Sequence, residues 1–439
     1  MNRTLNYLKI NFDKIDKSWQ NQTLLVYLLT TMLITLPMKH IIGSLSCLLF
    51  LIVSFAKAKK GNFSLSKVLL LPMLLYALMI ISLIWTLESK LTIKGLQKEV
   101  LLLLIPLAFC TLPKINRNTV DKVLQIYSFS MAGYAIFYFL NAVVKFIKSG
   151  NGNVFFYHEL VGLQLNAIYF SVFASLAMIF FLAKKNKSIF DKIGLFILTV
   201  CIFLLSSKNI ILVDLVLVII YFLFFSSVSK KTKSATVFTI IIICISSVFF
   251  ISPIKDRFMI EFETAFTERT VNKTNGNKLN PVYNISLRQS WTQDRFQQND
   301  FFPGTAFRVF QIRIFKEMLQ EENVFFTGFG LEASQDKIKE KVKQYNLHSS
   351  YGKLNFHNEY IQIFSEIGIF GFLIVISMLF ITIKKGILNK DFVHISFSVT
   401  MIVLFLTESF LNRQRGIIFF IVIYCMLNTN NYNQQTIQK

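Results

Sequence analysis

The feature that most constrains this chain is its series of apolar runs, each about long enough to cross a lipid bilayer. Nine runs precede a long polar segment at 253–356, and three follow it. The runs lie roughly at 23–38, 40–56, 67–87, 97–113, 123–147, 161–183, 190–206, 208–227, 235–252, 358–383, 392–411 and 415–428. Since 54% of the residues are hydrophobic and the mean hydropathy is +0.53, the chain has too much apolar surface for a soluble globule. We therefore predict an all-α polytopic membrane protein with about twelve transmembrane helices.

The distribution of positive charge predicts the orientation of these helices. The short loops on the side of the N-terminus carry more than twice as many Lys and Arg residues as the short loops on the opposite side, so the positive-inside rule places both termini in the cytoplasm. With nine spans before it, the long segment then lies outside, in the periplasm if the membrane is a bacterial inner membrane. Because this bias accounts for most of the net charge of +22, the lipid bilayer is the expected partner, and no nucleic acid is needed.

The predicted organisation follows from these boundaries. It comprises a cytoplasmic lead at 1–22, nine transmembrane helices at 23–252, a periplasmic loop domain at 253–356, three transmembrane helices at 357–428 and a cytoplasmic tail at 429–439. No cleavable signal peptide is expected, since residues 1–22 are polar. All five cysteines lie in apolar runs without metal or redox spacing, so we interpret them as small core residues and predict no metal and no cofactor.

The most informative stretch is Asn-Phe-His-Asn-Glu-Tyr at 355–360, which opens a long apolar run. Glu359, Gln362 and Glu366 follow at helical spacing and form one stripe. Polar groups at membrane depth usually face a bundle interior or a wet cavity. His357 at that boundary is a candidate proton acceptor near neutral pH. The alternative is an interfacial histidine that caps a helix.

The long segment contains a second candidate feature, an amphipathic helix with two arginines. Residues 307–319 have helical apolar spacing, carry Arg308 and Arg313, and precede a stop at 328–330, which reads Gly-Phe-Gly. Arginine binds phosphate oxygens in a bidentate manner and stays charged at any relevant pH. A histidine beside carboxylates, external arginines and apolar walls together suit transfer of a group from a lipid diphosphate.

The combination of these motifs resembles the superfamily of O-antigen ligases and O-antigen polymerases. The superfamily pattern is roughly His-Asn-x-Tyr followed by Glu-x-Gly-x-x-Gly, and the matching residues here begin at His357 and at Glu366. An arginine-bearing helix that ends in Gly-x-Gly precedes them, as it does here. The stretch 408–416, Glu-Ser-Phe-Leu-Asn-Arg-Gln-Arg-Gly, resembles the last external loop of that superfamily.

The resemblance implies a fold related to the C class of membrane glycosyltransferases and a metal-independent, inverting transfer of a glycan from undecaprenyl diphosphate. The superfamily histidine corresponds to His357 and its loop arginine to Arg313, with Arg308 as the competing alignment. Lys208 stands where the superfamily often has an arginine. A lysine keeps the positive charge at this position but lacks the planar guanidinium group. Asn358, Arg413 and Arg415 complete the expected substrate-binding set.

The resemblance leaves three functions open. A ligase would move the glycan onto lipid A–core, and a polymerase would move it onto another repeat unit; we favour the ligase. A transporter of lipid-linked glycans is the third possibility, but a loop domain of about a hundred residues argues against it.

Overall fold

The computed structural model describes residues 18–19, 22–58, 63–162, 165–235, 238, 242, 252–272 and 281–430. Most of the predicted lead, the predicted ninth span at 235–252 and the end of the predicted tail lie outside the described residues. The described part is mainly helical, which agrees with the predicted all-α class.

Within the described residues from 22 to 225, ten helices form a bundle. They are α1 (Thr23–Ile34), α2 (His40–Ala56), α3 (Lys67–Ile81), α4 (Ser89–Glu99), α5 (Leu101–Thr111), α6 (Arg117–Ser149), α7 (Tyr157–Val161), α8 (Ala167–Ala183), α9 (Ile189–Leu205) and α10 (Lys208–Ile220). Short 3₁₀ turns lie at Ser82–Ile84 and Gly152–Phe155, and a π turn at Tyr221–Phe225 extends α10. The run predicted at 97–113 is not one helix, because a short amphipathic helix, α4, joins the apolar α5 at Val100.

The loop domain between the two sets of membrane helices has its own core. It contains α11 (Ser252–Phe266), α12 (Leu287–Thr292), α13 (Gly304–Glu321), α14 (Ser334–Gln344) and a 3₁₀ turn at Ser349–Lys353. Three two-residue strands form a small sheet in the order β1 (Thr270–Val271), β2 (Tyr283–Asn284), β3 (Asp300–Phe301). The β1–β2 pair is antiparallel, with Thr270 opposite Asn284, and the β2–β3 pair is parallel. Aromatic side chains fill the space between α13 and α14.

Three helices complete the bundle: α15 (Glu359–Leu388), α16 (Phe392–Phe405) and α17 (Gln414–Thr429). Residues 415–428 of α17 are buried all round, so this helix is the centre of the bundle. By length and composition, the segments Lys67–Ile84, Arg117–Ser149, Lys208–Phe225 and Glu359–Leu388 could each cross a membrane, and five shorter helices of the described chain are also apolar.

Helix α15 is broken at Gly368, where the backbone has φ 73° and ψ −167°. A segment of the loop domain, residues 325–330, inserts at this break. The amides of Phe329 and Gly330 donate to the carbonyls of Ser365 and Glu366, and the amide of Ile369 donates to the carbonyl of Phe325. Since unpaired backbone groups are costly at membrane depth, this pairing makes the break tolerable and attaches the loop domain to the bundle.

Candidate functional site

Several of the predicted site residues lie where the loop domain packs on one end of the bundle, but Arg313 does not. We refer to the segment between α16 and α17, residues 406–413, as the connection. It lies beside the start of α13 and the start of α15. Most contacts described below join residues that are far apart in the sequence.

His357 is held in an unusual backbone conformation just before α15. Its φ of 43° lies in the left-handed region, and its amide donates to the Oδ1 atom of Asn355 at 3.3 Å. Its Nδ1 atom lies 3.4 Å from Oε2 of Glu408, whose side chain is 8% exposed against 28% for the histidine. A carboxylate at Nδ1 fixes the orientation of the ring, so Nε2 is the nitrogen that can accept a proton from a substrate hydroxyl.

The next two residues of the motif hold the connection by its backbone. Asn358 caps α15, since its Oδ1 atom accepts from the amide of Ile361, and its Nδ2 atom donates to the carbonyl of Leu406 at 3.2 Å. Glu359 is buried and accepts from the amide of Leu411 at 2.7 Å. Both polar ends of Asn358 are therefore occupied within the protein. Its predicted role in substrate binding stays a prediction, and its observed contacts are structural.

Arg308 is the loop arginine that reaches this site. Its Nε and Nη2 atoms donate to the carbonyl of Thr407 at 2.9 and 2.6 Å, and its Nη1 atom donates to the carbonyl of Gly304. Burial lowers the pKa of Arg308 from its ordinary value, while the charges of Glu408 and Glu261 act in the opposite direction. The guanidinium group thus lies within electrostatic reach of the partner of His357.

Lys208 joins the same region through an acidic side chain of the loop domain. Its Nζ atom lies 2.6 Å from Oε1 of Glu261, and the other oxygen of Glu261 accepts from the amide of Thr305 at 3.0 Å. Burial raises the pKa of Glu261, but the charge and hydrogen bond of Lys208, together with hydrogen bonds from Thr305, lower it below its ordinary value. Glu261 therefore joins the start of α10 to the start of α13.

A cavity of about 340 Å³ lies at the start of α17 and is lined by two further arginines. We refer to it as the arginine cavity. Arg415 is buried and donates to the carbonyl of Met38 at 2.6 Å. Arg413 is exposed, and in the described part of the chain no hydrogen bond or ion pair is recorded for its side chain. Tyr169, which also lines the cavity, donates to the carbonyl of Phe410 at 3.2 Å and so joins this cavity to the connection. The full lining is His40, His158, Gly162, Leu165, Asn166, Tyr169, Arg413 and Arg415.

Arg313 lies in a different environment, inside the loop domain. Its Nε atom lies 3.0 Å from Glu317, its Nη2 atom lies 3.1 Å from Asp294, and its Nη1 atom donates to the carbonyl of Gln293. The guanidinium carbon lies 4.8 Å from the ring centre of Tyr345. These contacts are those of a residue that stabilises a domain. Arg308, in contrast, bonds to Thr407, the residue before the partner of His357.

Sequence reasoning missed some of the residues that build the site. Glu261 gave no usable signal, because its partner Lys208 is 53 residues away in the sequence. Tyr169 lies in an apolar helix and was indistinguishable there from a core aromatic. Glu408 begins the stretch that resembles the last external loop of the superfamily, but the sequence does not show that its side chain contacts His357. Within the described residues, no group of three His, Cys, Asp or Glu side chains comes together in a way that could hold a metal ion.

Comparison with known families supports the resemblance that the motifs predicted. Residues 193–376 match the family model described as O-antigen ligase. This stretch runs from α9 into α15 and includes Lys208, both loop arginines and His357. The match confirms the predicted resemblance to the superfamily of O-antigen ligases and polymerases. No curated protein matches the chain.

Proposed function

We propose, from this match and from the pairing of His357 with Glu408, that the protein is an O-antigen ligase-like glycosyltransferase. It transfers a glycan from undecaprenyl diphosphate to an acceptor sugar, with lipid A–core as the acceptor. The reaction takes place at the periplasmic face of a bacterial inner membrane, with both termini in the cytoplasm. The observation that carries the proposal is the carboxylate–imidazole pair, 3.4 Å apart, beside the half-buried Arg308 at one end of the bundle.

The proposed reaction is a single inverting displacement. Nε2 of His357 accepts the proton of an acceptor hydroxyl as that oxygen attacks the anomeric carbon of the donor glycan. The bond between the anomeric carbon and the diphosphate oxygen breaks on the opposite face, and its electron pair leaves with the carrier lipid diphosphate. Glu408 accepts a hydrogen bond from Nδ1–H and stabilises the imidazolium ion that forms.

Cationic side chains stabilise the charge that develops on the leaving diphosphate. Arg413, exposed at the arginine cavity, is the group best placed to turn towards a phosphate, and the buried Arg415 adds charge behind it. Arg308 holds the connection and contributes charge beside Glu408. Lys208 is bound to Glu261, and this ion pair holds the start of α13, which carries Arg308. Charge stabilisation of this kind needs no metal ion in the proposed mechanism.

The direct test is a transfer assay with purified protein. A radiolabelled glycan linked to undecaprenyl diphosphate is incubated with lipid A–core, with and without a chelator, and labelled product is measured. The proposal expects transfer in both conditions and its loss in His357→Ala. Unchanged transfer in that variant would remove His357 from the mechanism, and loss of transfer with chelator would remove the metal-independent step.

A deletion strain separates the ligase from a polymerase. Loss of a ligase leaves long glycan chains on the carrier lipid, whereas loss of a polymerase leaves single repeat units on lipid A–core. The first pattern is the expected one, and the second would assign the same site to polymerisation.

A further inference from the structure

A second cavity, of about 460 Å³, lies at the same end of the bundle and shares no lining residue with the arginine cavity. It lies between α2, the junction of α4 and α5, and the start of α17. We refer to it as the lateral groove. Its lining residues differ from those named in the site above, although one of them, Lys98, donates to Asn412 of the connection.

The lateral groove is polar at one end and apolar at the other. Lys94, Gln97 and Lys98 line it from α4, and Gln414 donates to the hydroxyl of Ser44 at 2.8 Å across the same end. The deeper lining, two to three turns into the bundle along α2 and at the start of α5, is Cys47, Leu48, Leu51 and Leu101. A site that changes from cationic to apolar over this length matches a lipid headgroup with its adjoining chain.

The groove borders a helix surface that faces outward. On α2, Leu48 lines the groove and is itself 52% exposed, and it is flanked by Leu45 at 59% and Ile52 at 57%. In a membrane bundle, such an apolar outer face contacts lipid chains. A lipid can therefore enter the groove sideways from the bilayer.

Lysines on α4 provide the charge. Lys90, Lys94 and Lys98 follow one another at four-residue spacing and form one stripe on the helix. Lys98 is paired with Glu332 and Asn412. Lys94 is exposed, and no hydrogen bond or ion pair is recorded for its side chain within the described ranges.

This stripe is an exception to the charge bias of the chain. The loops on this side carry few cations, yet three lysines occur here within nine residues. The neighbouring acids do not cancel the stripe, because Glu99 is buried in the bundle and Glu332 is used by Lys98. Two lysines, Lys90 and Lys94, are left to meet an anion, and phosphate is the anion that lipids most commonly present at this depth.

We propose that the lateral groove binds the phosphate and the adjoining chain of the lipid that anchors the acceptor glycan. This inference rests on the proposed function, because it assigns one lipid to each of two cavities. The donor diphosphate belongs at the arginine cavity, which Tyr169 joins to the connection beside His357. The groove is left for the other substrate, and its apolar half selects a lipid-borne phosphate over a free one.

The test measures lipid retention by the full chain and uses phosphatidic acid as the probe. The protein is reconstituted in phosphatidylcholine nanodiscs that contain either phosphatidic acid or diacylglycerol, and the retained lipid is counted by native mass spectrometry. We expect enrichment of phosphatidic acid over diacylglycerol. Lys94→Gln should reduce that enrichment roughly fivefold. Leu48→Trp, which fills the apolar half, should reduce retention of the probe as well.

Two matched controls keep the test specific. Lys148→Gln removes an exposed cation at the end of α6, and Leu140→Trp alters a lipid-facing leucine of α6 that is 58% exposed. Neither should change retention of phosphatidic acid. Equal losses in control and groove variants, equal retention of diacylglycerol, or displacement of the probe by equimolar inorganic phosphate would each overturn the proposal.

The result also separates this inference from the proposed function. His357→Ala should retain phosphatidic acid like the unaltered protein while it loses glycan transfer. If Lys94→Gln retained the lipid fully while His357→Ala lost transfer, the assignment of the groove would be wrong, and the proposed glycosyltransferase function would still be supported. If His357→Ala transferred glycan normally, the proposed transferase mechanism would be wrong. Lipid retention alone would then decide whether the groove binds a lipid phosphate.

Discussion

Helix α13 carries two arginines, one near its start and one near its middle, and their surroundings differ in kind. Arg308, near the start, donates to a backbone carbonyl of the connection and lies in reach of Glu408. Arg313, five residues later, is bound by Glu317 and Asp294 and lies over the ring of Tyr345. The side of α13 that carries Arg308 therefore faces the bundle and the candidate site, and the side that carries Arg313 faces the core of the loop domain.

This difference shows what a charged residue on an amphipathic helix can and cannot reveal. Five residues correspond to about 140° around a helix axis, so the two arginines must point to different neighbours. The sequence shows that the two differ but not which one meets His357. That choice depends on how the loop domain is fixed to the bundle through the insertion at Gly368.

The largest expected effect is that of His357, on the side of the loop domain that faces the bundle. His357→Ala should lower glycan transfer about 10²- to 10⁴-fold, because it removes the group that accepts the hydroxyl proton. The measurement is the initial rate of labelled product formation per folded protein. His348→Ala is the matched control, since His348 is exposed and bonds only within its own turn, to Ser350. A similar loss in both variants would contradict a specific role for His357.

The next effect tests Arg308. Arg308→Ala should lower transfer roughly 10²-fold, because the connection loses two hydrogen bonds and the site loses a charge. Arg308→Lys restores the charge but not the planar fork, so its rate should fall between the two. Rates measured at saturating donor distinguish this effect from weaker donor binding. An unchanged transfer rate in Arg308→Ala would show that Arg308 has no role in the site.

A smaller effect of another kind is expected at Arg313. Arg313→Ala should destabilise the loop domain by about 1–3 kcal/mol, since charge-assisted hydrogen bonds to Glu317 and a backbone carbonyl are lost. Thermal unfolding in detergent measures this change. Transfer per folded molecule should change less than about tenfold. Normal stability with a large loss of transfer would instead support the catalytic role first predicted for Arg313.

The smallest effect is a pH dependence of stability at Glu317, the partner of Arg313. Burial raises the pKa of Glu317, but hydrogen bonds from Tyr345 and Lys341 and the charges of Lys341 and Arg313 lower it below its ordinary value. Because the folded-state pKa is lowered, the stabilisation is present above about pH 4.3 and is lost as the pH falls through the lowered value. Glu317→Gln should therefore weaken the fall of the unfolding temperature in acid. Glu340→Gln, at a largely exposed carboxylate, should leave that fall unchanged.

Much of the fold and part of the site followed from local patterns. Most of the apolar runs and the amphipathic helix at 307–319 correspond to helices among the described residues. The break in α15 was not predicted, although Gly368 belongs to a motif that had been noticed, because an apolar run does not reveal where a distant segment will insert.

The sequence by itself therefore determined the membrane class, the position of the polar loop domain and the histidine motif at the mouth of a helix. Hydrophobic length and helical period are local properties, and they can be read without knowing any partner. Only the tertiary structure decided that Glu408 faces His357, that Arg308 lies nearer than Arg313, and that Lys94 lines a groove beside lipid-facing leucines. Those contacts join residues tens to hundreds of positions apart, and their geometry exists only when the helices are packed together.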